Sequence, residues 1–278
     1  MLARAKVNLW LNVVGRRADG YHLLESLIAF TDLADEIEAE PADRLTLAVE
    51  GPLAAVLADE GDDNLVLKAA RLLADRAAVA PRVALTLVKR IPVAAGLGGG
   101  SADAAATLHA LIGLWRVALP VEELFDLAAR LGADVPMCFA GRAALASGVG
   151  EQLAPAPPLP PCAILLVNPR VALPTPDVFK ARRGAFSEPR PLRPWTDLVS
   201  FASALAERGN DLTDAAIALR PVVAEVLAFL RKSDGALHAA MSGSGATCFA
   251  LYESVELADR AAARLPASWW HHAGKLVG

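Results

Sequence analysis

Residues 91–106 read Ile-Pro-Val-Ala-Ala-Gly-Leu-Gly-Gly-Gly-Ser-Ala-Asp-Ala-Ala-Ala, and no other stretch constrains the fold as much. Gly96, Gly98, Gly99 and Gly100 carry no Cβ, so the backbone there can take positive φ and crowd a ligand closely. Ser101 opens an alanine-rich run, which favours helix. Ahead of the glycines, Val83-Ala-Leu-Thr-Leu-Val88 has strand character. The expected local order is strand, glycine loop, helix. A turn that feeds a helix N-terminus aims free N–H groups and the positive end of the helix dipole at one point, and that point suits phosphate.

Two familiar phosphate loops do not fit. A Walker A loop ends in Gly-Lys-Ser/Thr, whereas Gly100 is followed directly by Ser101. The dinucleotide fingerprint needs a glycine three residues after its second, and counting from Gly98 that place is Ser101. What stands is Pro92-x-x-x-Gly96-Leu97-Gly98-Gly99-Gly100-Ser101-x-x-Ala-Ala. The competing role is a glycine-rich surface turn that binds nothing, but loops this ordered in pattern are usually functional.

The 278 residues permit one large domain or two small ones. With 54% hydrophobic residues and many alanines, the chain can build an ample core of close-packed helices. A net charge of −4 argues against a general grip on nucleic acid, which needs a basic surface; it leaves a nucleotide in a local pocket open. No segment reaches the roughly 18 uncharged apolar residues of a membrane helix. The start, Met1-Leu-Ala-Arg-Ala-Lys6, reads straight into an apolar strand without a cleavable leader. Cys138, Cys162 and Cys248 are far apart in apolar runs and read as buried free thiols in a reducing cytoplasm. The five histidines form no ligand-spaced pair, so no dedicated transition-metal site is expected.

Along the chain, Leu45–Val49 alternates as a strand should. Asn64 is placed to cap a helix from Leu65 to about Ala78, with Leu65, Ala69, Leu72 and Leu73 on one face. Val121–Leu131 is a clearer helix, acidic in its first turn and stopped by Gly132. Pro155–Pro161 is the one plausible linker. It precedes a short apolar run, Ala163–Val167, that reads as a buried strand, and residues 183–195 read as a loop. A helix is expected from about Pro221 to Arg231, then a second glycine loop and strand in Met241–Phe249. Helices and strands are interspersed, an α+β pattern.

Three motifs occur in order: Lys6-Val-Asn8-Leu, the glycine loop, and Gly243-Ser-Gly245-Ala. The trio resembles the pattern of the GHMP kinase superfamily. Within it, Ala5-Lys6-Val-Asn8-Leu, Gly15-Arg-Arg-Ala-Asp-Gly-Tyr21-His22, Asp63-Asn64-Leu65, Leu131-Gly-Ala-Asp134-Val-Pro136 and Pro174-Thr175-Pro176-x-Val178-Phe179 look like the 4-diphosphocytidyl-2-C-methyl-D-erythritol kinase family. The Arg-x-Asp-Gly-Tyr-His string is the most specific of these, and the resemblance runs across nearly the whole chain. It implies an α+β, two-lobed GHMP kinase fold: an N-terminal lobe over residues 1–154 with the phosphate loop, a C-terminal lobe over 162–278, and an active site in the inter-lobe cleft. The implied reaction moves the γ-phosphoryl of ATP to a hydroxyl of 4-diphosphocytidyl-2-C-methyl-D-erythritol, giving the 2-phosphate and ADP in isoprenoid precursor synthesis by the methylerythritol phosphate pathway. The implied partner is a small substrate carrying a cytidine diphosphate group, with neither nucleic acid nor membrane, in a cytoplasmic monomer or weak homodimer. Homoserine kinase is one rival, against which Tyr21-His22 speaks because a small substrate needs no base stack. Diphosphomevalonate decarboxylase is another, separated by loss of carbon dioxide. A non-catalytic nucleotide-binding relative is a third, disfavoured by the joint presence of Lys6, Asp134 and Ser101.

The resemblance also assigns roles. Asp134 matches the catalytic aspartate, against a competing role as helix N-cap. Lys6 matches the lysine that pairs with it, against a solvated place on an edge strand. Asn8, two residues on and so on the same strand face, would bond a substrate hydroxyl. Tyr21, His22 and Phe179 fit a cytosine pocket, with Tyr21 and Phe179 on opposite faces of the base; ordinary core packing is the alternative for the aromatics. Lys180 would meet the diphosphate and Thr175 the erythritol hydroxyls. On the ATP side, Pro92, Gly96, Leu97, Gly98, Gly99, Gly100 and Ser101 would wrap the phosphates, and Asn64 and Leu65 would hold adenine. Mg²⁺ is expected through phosphate oxygens and water, with Ser101 as a candidate protein ligand and no complete protein cage; Ala102 stands where the superfamily loop often has a second serine. The second glycine loop would support the first rather than react.

Overall fold

The computed structural model describes residues 1–57 and 61–278. Packing divides the chain into two interleaved units. The first takes Met1–Lys6, Leu33–Val93 and Gly98–Gly141; the second takes Val7–Asp32, Ala94–Leu97 and Arg142–Gly278. These units cut the chain differently from a division at the proline-rich segment, because two long strands, β1 (Leu2–Arg16) and β2 (His22–Pro41), contribute to both.

In the first unit, β3 (Thr46–Glu50) pairs in parallel with β4 (Val83–Val88), in register from Thr46 opposite Ala84 to Glu50 opposite Val88. Parallel neighbours cannot be joined by a tight turn, so the chain must cross over. Helix α1 (Leu65–Ala77) makes that crossover, with Asn64 as its cap: the Asn64 side chain accepts from the Val66 N–H at 2.9 Å. The buried face of α1 is Val66, Ala69, Ala70 and Leu73, so Leu65 and Leu72, expected on that face, sit at its margin. β4 runs antiparallel to the second half of β2, from Glu36 opposite Val88 to Pro41 opposite Val83. α2 (Gly99–Trp115) starts two residues before the expected Ser101, because Gly98 in the left-handed region turns the chain into the helix and its carbonyl accepts from Ala102. α3 (Val121–Leu131) ends at Gly132 as expected. α4 (Val135–Ala140), a single short helix with Pro136 in its first turn, was not legible in the sequence. The core of this unit is Leu73, Leu85, Leu87, Ala104, Leu108, Leu111, Leu127 and Val135.

The second unit holds the first half of β2 beside β10 (Trp270–Val277), then β7 (Ala163–Asn168), β9 (Cys248–Tyr252) and β8 (His238–Met241), all antiparallel. Every residue of β7 is buried, as a central strand with covered faces requires, so the apolar run has no alternation. A hairpin of β5 (Ala144–Ser147) and β6 (Gln152–Pro155) pairs on β2 with Ser26 opposite Ala146. The helices are α5 (Thr175–Ala181), α6 (Leu198–Arg208), α7 (Thr213–Leu219), α8 (Val222–Lys232) and α9 (Val255–Ala262). Leu212, Val223, Val226, Leu227 and Ala258 pack with Leu165, Val167, Cys248 and Tyr252 of the strands to form the core. Residues 183–195 form no regular element, and Cys138, Cys162 and Cys248 are buried free thiols. Among the described residues, no helix is long and apolar enough to cross a membrane.

Leu165 is fully buried at the centre of the second core. Leu165→Ala is expected to lower unfolding free energy by about 2–5 kcal/mol, the usual range for such a truncation, read by urea denaturation; a loss of less than about 1 kcal/mol would mean that this core is loosely packed.

Candidate functional site

In the first unit the glycine loop enters α2 against a lysine. Gly98 sits at φ +64, and a Cβ there would stand 2.7 Å from Lys6 Cγ. Only glycine gives both the left-handed backbone and the space. The N–H groups of the first turn, ahead of the Ala102-to-Gly98 bond, have no acceptor within the helix. Lys6 reaches from β1 to the loop, and its Nζ lies 3.2 Å from Asp134 Oδ2. The Lys6 side chain is 8% exposed and that of Asp134 45%, so the pair is rooted in the protein and open on the carboxylate side. Asp134 does occupy the residue before α4, but its side chain makes no capping bond; the carboxylate is turned to Lys6. Beside it, burial pushes the Cys138 thiol up to about 12, with Asp134 adding to the effect, so no thiolate nucleophile is available here.

A second, sealed charge cluster lies under the same loop. Lys89 Nζ contacts Asp35 Oδ2 at 2.5 Å and Asp103 Oδ2 at 2.7 Å. Asp35 Oδ1 also accepts from the N–H groups of Arg90 and Ile91, whereas buried Asp103 Oδ1 has no partner. Burial would lower the Lys89 pKa, but the two carboxylates outweigh it and hold the ammonium above its ordinary value. Burial pushes the Asp103 carboxyl up to about 8, against the pull of Lys89. These three residues were missed in the sequence; the one signal was a charged residue inside an apolar helix start.

Near the start of α1, a cavity of about 400 Å³ is lined by Leu47 and Val49 of β3, Leu57, Asn64, Leu67 and Arg71, among others. Asn64 thus serves as helix cap and cavity wall together. Leu65 is not on that wall; its Cδ1 lies 3.5 Å from where a Gly100 Cβ would be.

In the second unit, segment Ala94–Leu97 rests on the second glycine loop. A Cβ on Gly96, at φ +75, would stand 2.7 Å from the Gly245 carbonyl oxygen. The Thr247 hydroxyl donates to the Ala95 carbonyl and accepts from Asn168 Nδ2. Pro92, at the loop's entry in the first unit, is half-buried, and Leu97 is buried. Asn8 is 5% exposed; its Nδ2 donates to Ser26 Oγ at 2.8 Å and its backbone N–H to Ser242 Oγ at 3.1 Å. Ser26 passes the interaction on by donating to the Trp10 carbonyl. Phe179 stacks on His22, with ring centroids 5.0 Å apart and planes 24° from parallel. Tyr21 stands apart at 63% exposure, with the Arg17 guanidinium 5.6 Å from its ring centroid. The structure therefore pairs Phe179 with His22 and leaves Tyr21 free of the core. Burial, then Arg16 and Arg182, lowers the His22 pKa, which favours the neutral form of the stacked imidazole. Thr175 Oγ1 and Ser244 Oγ share a hydrogen bond of 2.8 Å, tying the start of α5 to the second glycine loop, and Lys180 is exposed on α5. Among the described residues no group of three or more His, Cys, Asp or Glu side chains could hold a metal ion.

Comparison with known proteins identifies the family and the fold. The GHMP kinases N terminal domain matches residues 64–142, and the GHMP kinases C terminal domain matches residues 192–271. The 4-diphosphocytidyl-2-C-methyl-D-erythritol kinase of Rhodospirillum rubrum is 54% identical over 99% of this chain and 92% of its own length. A crystal structure of 4-(cytidine 5'-diphospho)-2C-methyl-D-erythritol kinase superposes with a TM-score of 0.84 at 41% identity, covering 100% of this chain and 99% of that one. Homoserine kinase from Cytophaga hutchinsonii superposes at 0.68 with 18% identity, over 98% of this chain and 94% of that one, which is a likeness of fold alone.

The raised Asp103 carboxyl has a consequence for stability. Its folded value of about 8 lies above the ordinary carboxylate value that the unfolded chain would have. The folded state therefore holds an extra proton between the two values, and this contribution to stability is lost as pH rises through that window. Asp103→Asn cannot titrate. Urea unfolding at about pH 5 and about pH 8 should show a steeper fall for the wild type than for Asp103→Asn; equal falls would place the proton elsewhere.

Proposed function

We propose, for a chain that belongs to the 4-diphosphocytidyl-2-C-methyl-D-erythritol kinase family of the GHMP kinases, that Lys6, Asp134 and the Gly98 turn carry its phosphoryl transfer. The chain is an ATP-dependent small-molecule kinase that phosphorylates a hydroxyl of 4-diphosphocytidyl-2-C-methyl-D-erythritol in isoprenoid precursor synthesis. The observation that carries the assignment of residues is the convergence of a half-exposed aspartate, a buried lysine and an α2 N-terminus at one place in the first unit.

Phosphoryl transfer is mostly positioning and charge stabilisation. The attacking hydroxyl oxygen forms a bond to the γ-phosphorus while the bond to the bridging oxygen breaks and ADP leaves. Asp134 orients the hydroxyl and takes its proton; Lys6 holds that carboxylate in place and offsets charge on the transferring group. The backbone N–H groups of Gly98–Ser101 hold the phosphates, with Pro92, Gly96 and Leu97 shaping the approach to that turn. Mg²⁺ would arrive with the phosphates, held by their oxygens and by water, and would neutralise part of their charge. The cavity walled by Asn64 takes the adenine, with Leu65 packed beside the loop.

The second unit reads the acceptor. The neutral His22–Phe179 stack offers one ring face and edge to cytosine, and Tyr21, out of the core, covers the other side. Asn8 and Thr175 bond substrate hydroxyls, and Lys180 meets the diphosphate.

Asp134→Asn separates catalysis from capping, because asparagine caps about as well. Single-turnover transfer at saturating ATP and acceptor should slow by about 10²–10⁴, with little change in melting temperature; slowing by under about threefold would return Asp134 to a structural role. Gly98→Val puts a β-branched side chain at positive φ and into Lys6. Calorimetry should show ATP binding lost while the cytidyl substrate still binds; normal ATP affinity would remove the loop from the phosphate site. Phe179→Ala and Tyr21→Ala should each weaken the cytidyl substrate by about 1–3 kcal/mol and leave ATP alone. Unchanged affinity in both would refute the cytosine stack.

A further inference from the structure

The glycine loop is seated between two lysines. Gly98 lies on the stem of Lys6, and the next residue lies on the head of Lys89: a Cβ on Gly99 would stand 3.1 Å from Lys89 Nζ and 3.1 Å from Ile91 Cγ2. The two lysines differ in surroundings. Lys6 shares an ion pair with a carboxylate that is 45% exposed, whereas Lys89, Asp35 and Asp103 have side chains 2%, 0% and 4% exposed. Lys89 is out of reach of solvent, and its ammonium spends its hydrogen bonds inside the protein.

We propose that Lys89 is a positioning residue for the nucleotide phosphates: its ammonium, clamped between Asp35 and Asp103, fixes both ends of the glycine loop and so the aim of the N–H groups in the first turn of α2. This rests on the reading of that loop as the ATP phosphate site. The connections follow the chain. Asp35 stands in β2 and receives, besides Lys89, the N–H groups of Arg90 and Ile91, the residues that leave β4 for the loop. Asp103 stands one turn into α2, the element that receives the loop. One ammonium therefore ties the strand, the loop's departure and the loop's arrival, and Gly99 rests on it without a side chain between. Glycine-rich backbone is the least self-restrained in the chain, so its accuracy has to come from what it rests against. A displacement of about 1 Å at a site of phosphoryl transfer can change rates by about a hundredfold.

A mere brace and a positioning residue differ in what they move. Loss of a brace lowers the folded fraction, while the molecules that remain folded keep their affinity. Loss of a positioning residue raises KM for ATP in the folded molecules. Lys89→Met alone would strand two buried carboxylates, so the test uses Lys89→Met/Asp103→Asn, which leaves only Asp35 with its two backbone donors. Lys89→Arg is the second variant: it keeps the charge and the pairing but puts a broader group under Gly99. Steady-state kinetics on folded protein, checked by circular dichroism, should show KM for ATP raised by between about ten- and a hundredfold in the double variant. In Lys89→Arg it should rise severalfold, and KM for the cytidyl substrate should hold in both. Wild-type KM for ATP in either folded variant overturns the proposal. The Gly98→Val calorimetry separates the two readings. Normal ATP binding there defeats the loop assignment, while lost binding there with unaltered KM in the Lys89 variants defeats the positioning role.

Discussion

Close approach of backbone to lysine is the constraint on which the rest of the first unit depends. Gly98 has no room for a Cβ against Lys6, and a Cβ on Gly99 would press on Lys89 and Ile91 at 3.1 Å. Without side chains the loop can rest on the stem of Lys6 and the head of Lys89. A Cβ at either position would push the turn off its seat and change where the α2 N-terminus points. The helix can begin at Gly99 because Gly98 takes the left-handed conformation that L-residues with side chains avoid.

The two lysines show how burial assigns different work to the same chemistry. A fully buried ion pair is rigid because separating it would leave a charge in a medium that cannot solvate it. Lys89 with Asp35, and with Asp103 hydrogen-bonded to the same ammonium, is of this kind and suits a foundation. A half-exposed pair can exchange partners with solvent and ligand at low cost. Lys6 with Asp134 is of this kind and suits a reacting centre. The same difference explains why Asp103 holds its proton more tightly than an ordinary carboxylate: burial acts first, and one of its oxygens has no donor.

Acceptor choice is a property of particular residues on a shared scaffold. A homoserine kinase has this fold at 18% identity, so the fold by itself names no acceptor. In the reading proposed above, the acceptor would be chosen by the turn bearing Tyr21 and His22 and by the short helix bearing Phe179. His22 stacks on Phe179, a neutral aromatic pair, while Tyr21 stays out in solvent. The Asn8 side chain is held by Ser26 and its backbone N–H by Ser242.

Local features were legible in the sequence because their causes are local. The range Val83–Val88 follows from its apolar strand character, α3 from its helical period and terminal Gly132, and the cap at Asn64 from one side chain reaching two residues on. The glycine loop, Lys6 and Asp134 were legible as motifs, and tertiary structure brought the last two to 3.2 Å. What the sequence could not determine depends on partners that are remote along the chain. Lys89 meets Asp35 across 54 positions, and Asn8 meets Ser242 across 234. The stack of Phe179 on His22 is of the same kind, as is the interleaving of the two packing units. α4 escaped notice because six residues are too few to show a period. Periodicity and turn chemistry act over a few residues, so a sequence displays them directly. Burial and charge pairing act through space, and only the folded chain decides which side chains share a dry interior and which carboxylate is left open to solvent.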